Sequence, residues 1–81
     1  ALESATRKRS AKAGADTLTP RELECLAWAA RGKTDEDIGQ ILGRSRETVH
    51  FHLGKALRKL GASNRTHAVA IACSLGLIRL F

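Results

Sequence analysis

The chain has 81 residues, of which 43% are hydrophobic, with two cysteines and a formal net charge of +6. That length suits one small domain with a modest buried fraction, and no apolar run approaches the ~20 residues of a membrane-spanning helix. An isoelectric point near 10.2 suggests a polyanion as partner.

The excess charge is concentrated. Residues 1–17 carry +2, residues 18–42 carry −2, residues 43–60 carry +4 and residues 61–81 carry +2. Residues 1–17, ALESATRKRSAKAGADT, show no apolar periodicity and read as a flexible basic linker or arm. The domain proper is expected over 18–81.

Four helices are predicted with short connections and no strand, an all-α fold. Thr19-Pro20-Arg21-Glu22 is a capping box with proline at the first helical position, and opens a helix ending near Gly32. Thr34 caps a second helix, whose first turn holds Asp35, Glu36 and Asp37 where the helix dipole favours carboxylates, and which stops at Leu42-Gly43. Ser45 caps a third helix running to Gly61, and Asn64 a fourth running to Gly76. The tight Gly43-Arg44-Ser45 connection is the sequence signature of a helix-turn-helix.

In the third helix, Val49, Leu53, Ala56, Leu57 and Leu60 form a complete apolar stripe at helical spacing. The opposite arc holds Arg46, Glu47, His50, Phe51, Gly54, Lys55 and Arg58. The core does not need this arc, and its aromatic, its cations and its interrupting glycine suit contact with another surface. A DNA major groove admits such a helix, with Arg46 and Arg58 reaching phosphates and His50, Phe51 and Lys55 lying near base edges. The competing reading is a solvated basic face with Phe51 tucked under a neighbouring helix.

The fourth helix has more apolar surface than one packing stripe uses. Ala68, Ile71, Ala72 and Leu75 are expected in the core, leaving Val69, Ala70 and Cys73 for a two-fold dimer interface. Such a dimer predicts DNA half-sites ~10 bp apart.

No metal, cofactor or catalytic residue is expected. His50 and His52 diverge by ~200° on a helix, and Ser45 serves better as a cap than as a nucleophile. Cys25 and Cys73 read as small buried hydrophobes in a reducing compartment, which fits a cytoplasmic protein.

The stretch from Leu18-Thr19-Pro20-Arg21-Glu22 through Thr48-Val49, Phe51-His52-Leu53, Lys59-Leu60-Gly61 and Asn64-Arg65 to Gly76-Leu77-Ile78 resembles the C-terminal DNA-binding domain of LuxR-family bacterial transcription regulators. Trp28 and the TVHFHL run look more like its quorum-sensing branch than its receiver-linked branch.

The resemblance implies a third helix in the major groove, a homodimer through the fourth, and an inverted-repeat promoter site. RNA polymerase is a further expected partner. By position, His50, Phe51 and Gly54 match places from which family members reach base edges, where Lys or Arg is common at the first and last. Thr48, His52 and Lys59 match positions that hold or support phosphate contacts, and Lys33 and Thr34 aim the second helix's N-terminus at the backbone. Family members carry an N-terminal sensor domain, so no small-molecule site is expected in this stretch and residues 1–17 are expected to belong to an interdomain linker. Two alternatives remain at this point: a promoter-binding domain like region 4 of bacterial sigma factors, and a helical protein-interaction adaptor.

Overall fold

A computed structural model describes residues 18–79; the expected linker, residues 1–17, lies outside them, as do residues 80–81. The described residues form four helices and no strand: α1 (Pro20–Ala30), α2 (Asp35–Leu42), α3 (Arg46–Leu60) and α4 (Arg65–Ser74).

Each helix begins where side-chain chemistry satisfies its free amides. Thr19 and Glu22 exchange hydrogen bonds at the start of α1, Thr34 and Asp37 do the same for α2, and Ser45 and Asn64 cap α3 and α4. At the other end, Gly43 and Gly61 close α2 and α3 in the left-handed region, at φ 69° and 67°. Helix α4 stops at Ser74, two residues short of the expected Gly76, because Leu75 is its C-cap and Gly76 makes the left-handed turn beyond it.

The α2–turn–α3 unit is unusually close. The Arg44 amide donates to the Gly39 carbonyl at 2.8 Å. A β-carbon at Gly39 would lie 2.5 Å from the Arg44 carbonyl oxygen, so only glycine lets the turn fold back this tightly.

The core is built from Cys25 and Leu26 of α1, Ile38 of α2, Val49 and Leu53 of α3, and Ala68 and Ala72 of α4, with Ile78 closing one end. Leu57 and Leu60, half-buried, pack against it, so the predicted stripe of α3 faces the interior. Cys25 is buried and Cys73 half-buried, both as free thiols; burial pushes the Cys25 thiol up from its ordinary range.

Helix α4 corrects one expectation. Ala68 and Ala72 are buried as predicted, but Leu75 is 36% exposed and Ile71 only half-buried. Val69 and Cys73, expected on the outward face, pack in part against the core, while Ala70 is exposed. The reason is steric: two alanines in the centre of the stripe let α4 lie close, so its rotation is decided by which flank meets α1 and α3.

Candidate nucleic-acid interface

Helix α3 carries two faces. Beyond the buried Val49, Leu53 and Ala56, its exposed residues are Arg46, Glu47, His50, Phe51 and Arg58, with Thr48, His52, Gly54 and Lys55 half-exposed. Phe51 is 58% exposed, which overturns the reading that tucks it under a neighbour. Its ring meets the Lys55 ammonium at 5.3 Å and the His52 ring edge-on at 5.8 Å. These contacts set a large apolar side chain among cationic and aromatic neighbours.

Gly54 sits in this arc with nothing within 4 Å of where a β-carbon would be. No intramolecular contact requires a glycine there.

The remaining phosphate candidates are placed unequally. Arg46 and Arg58 are exposed on α3, and Lys33 is exposed just before α2. The Thr48 hydroxyl lies 2.9 Å from that of Ser45, so it supports the cap of the helix. Thr34 is committed to the capping box: its hydroxyl accepts from the Asp37 amide, and its own amide donates to the Asp37 carboxylate, each at 3.1 Å. These bonds hold the Asp37 carboxyl below the usual carboxylate range.

Lys59 faces inward. Its ammonium donates to both carboxylate oxygens of Glu22, at 2.9 and 3.1 Å. Glu22 is only 1% exposed. Burial pushes its carboxyl up, yet the bonds from Lys59 and the Thr19 amide outweigh this and leave it below its ordinary value. The position that the resemblance relates to phosphate contact therefore also ties α3 to α1.

A second cluster was not foreseen. Asp35, in the first turn of α2, accepts from Arg65 Nη1 of α4, and its other oxygen lies 3.2 Å from His50 Nδ1 of α3. Arg65 Nη2 also donates to the Lys33 carbonyl at 2.6 Å. The cluster borders an open groove of about 980 Å³, lined also by Ala29, Ala30, Arg46 and Val69. Helical periodicity reports faces within one helix, so it carries no sign of this pairing between three.

Among the described residues, no group of three His, Cys, Asp or Glu side chains could hold a metal ion. Nor is any helix among them long and apolar enough to cross a membrane.

Comparison with known proteins bears on the family. The quorum sensing-dependent transcriptional regulator RpaR of Rhodopseudomonas palustris is 62% identical over 63 residues, covering 78% of this chain and 26% of its own length. The quorum sensing-dependent regulator VjbR of Brucella ovis is 54% identical over 70 residues, 86% of this chain and 27% of its own. The chain thus spans about a quarter of the length of these relatives. A solved structure of the transcription factor GerE superposes with a TM-score of 0.76 at 34% identity, covering 79% of this chain and 96% of that one. The family of bacterial regulatory proteins, luxR family, matches residues 16–72, which takes in all of α1, α2 and α3 and most of α4. This decides between the two resemblances read from the helix-turn-helix: the chain belongs to the LuxR family, as a helix-turn-helix DNA-binding domain of its transcription regulators.

Proposed function

We propose that this chain reads a specific DNA sequence through α3 in the major groove and binds an inverted-repeat promoter site as a homodimer. One observation carries the reading. The apolar stripe of α3 packs on the core, and the opposite face still presents Arg46, His50, a 58%-exposed Phe51 and Arg58 around a glycine with open space above it.

In this reading His50, Phe51, Gly54 and Lys55 meet base edges, Phe51 against a thymine methyl group. Arg46, Arg58 and Lys33 meet phosphates, with Thr48, Thr34 and His52 supporting them and Lys59 combining such contact with its bond to Glu22. The dimer forms along α4 through Ala70 and the uncovered edges of Val69 and Cys73, where Leu75 adds exposed apolar surface. In this reading residues 1–17 link this cytoplasmic, non-enzymatic module to a sensor domain, and the quorum sensing dependence printed in the names of its relatives extends to it. RNA polymerase is then met at the promoter.

The test is selection of the purified chain on a random duplex pool at near-physiological salt. The expected result is an enriched inverted repeat with half-sites about one helical turn, ~10 bp, apart, in which His50→Ala changes the preference at one position per half-site. Recovery without any motif, with affinity vanishing as salt rises, would leave only the phosphate-charge attraction and overturn the reading.

A further inference from the structure

A histidine side chain can offer DNA either a donor or an acceptor, and the His50 ring lies beside a fixed carboxylate. Its side chain is 82% exposed, and its Nδ1 lies 3.2 Å from Asp35 Oδ2. Asp35 itself is 18% exposed and pinned: Arg65 donates to its other oxygen and anchors its second nitrogen on the Lys33 carbonyl.

Burial pushes the Asp35 carboxyl up, but the hydrogen bonds from Arg65 and His50 outweigh it and hold the group below its ordinary value of 3.8. Asp35 is therefore ionised near neutral pH and can only accept. A carboxylate facing Nδ1 requires the proton there, and in a neutral imidazole the second nitrogen, Nε2, is then an acceptor. Around the groove stand Asp35 and Glu36 from α2, Lys33 before it, Arg46 and Glu47 from α3 and Arg65 from α4, three carboxylates against three cations.

We propose that Asp35, clamped by Arg65, is a positioning residue that selects the Nδ1-protonated form of His50. With its imidazole neutral, His50 thereby reads a base-edge amino group, adenine N6 or cytosine N4, rather than the acceptors of guanine or thymine. The inference rests on α3 being the DNA reader and adds which chemistry one of its side chains presents.

Asp35→Asn reverses the signal without changing the side chain's shape. Arg65 can donate only to the amide oxygen, so the amide NH₂ faces Nδ1 and the imidazole proton must move to Nε2. The experiment selects the chain and this variant on a random duplex pool at pH 8, and records ¹⁵N shifts of the His50 ring.

The expected result for the parent is adenine or cytosine enriched at one position per half-site, with Nδ1 protonated. In Asp35→Asn, preference there moves to guanine or thymine by about tenfold, Nε2 carries the proton, and the effect disappears in a His50→Ala background. Asp35→Ala should flatten the preference rather than reverse it, and circular dichroism reports whether each variant is folded.

A sequence-specific parent whose preference survives both Asp35 variants overturns the inference and leaves DNA reading intact. So does a shift that persists without His50. A parent that enriches no sequence overturns DNA reading itself and this inference with it.

Discussion

Glu22 shows how one residue serves two levels of the structure. As the third residue of α1 it completes the Thr19 capping box, and at 1% exposure it is also a buried anion matched by Lys59. Removing one partner of such a pair leaves a charge in the interior. Lys59→Met should therefore lower stability by about 2–3 kcal/mol, less than for a pair sealed on both sides because the Lys59 side chain keeps 25% exposure. In a domain this small, that is a fall in Tm on the order of 10–20 °C. Glu22→Gln/Lys59→Met should recover most of it, and thermal melts of the three variants check the cycle. Loss of DNA binding by a Lys59 variant must accordingly be measured well below its own melting temperature.

The pH dependence follows the same group. The folded-state pKa of Glu22 lies below the ordinary value of 4.5, so its contribution is complete above that value and is lost as pH falls through the depressed one. Asp35 and Asp37 act in the same sense below 3.8. Denaturant titrations should show stability declining below about pH 4.5, with a shallower decline in Glu22→Gln. The capping box was legible in four consecutive letters. The ion pair was not, because 37 residues separate Glu22 from Lys59.

At the scale of the element, two glycines of the helix-turn-helix make opposite predictions. Gly39→Ala drives a β-carbon against the Arg44 carbonyl oxygen, 2.5 Å away, and backbone on both sides of the turn must move. It should cost about 1–3 kcal/mol, in the range of an overpacked core. Gly54→Ala meets nothing within 4 Å and lies inside a helix, where alanine is favoured by about 1 kcal/mol. Melts should show it stabilised. If α3 approaches DNA closely there, the same variant binds its selected site more weakly, so stability and affinity move in opposite directions. Equal or better affinity in Gly54→Ala would remove Gly54 from the interface. Helix starts were legible because caps are local chemistry: Thr19, Thr34, Ser45 and Asn64 all cap as predicted. The rotation of α4 was not, since a stripe of alanines flanked by apolar residues on both sides packs in more than one register.

At the scale of the whole molecule, the question is how one small basic domain becomes a specific binder. In the proposed homodimer a second copy would double the readable sequence, with α4 as the contact surface. Ala70 is exposed, so Ala70→Glu should leave the fold intact while placing like charges across a two-fold axis. On an inverted repeat, this variant should lose cooperative occupancy of the two half-sites yet bind a single half-site as the parent does. Titrations with one-site and two-site duplexes separate these outcomes. Unchanged cooperativity would move the dimer contact off this face.

The sequence by itself determined what depends on neighbours along the chain. The four helices, their caps, the glycine-bearing turn and the division of α3 into a packing stripe and a basic arc all follow from spacing and local hydrogen bonding. They were enough to indicate the family. Tertiary structure alone decided which distant charges meet: Glu22 with Lys59, and Asp35 with both Arg65 and His50. It also decided that Phe51 stands out from the surface and that Leu75 is left partly uncovered. The physical reason is the same in each case. Periodicity states which side of a helix is apolar, whereas the partner of a polar or flanking side chain depends on how two helices are turned against each other. That rotation is fixed only when the whole core is packed.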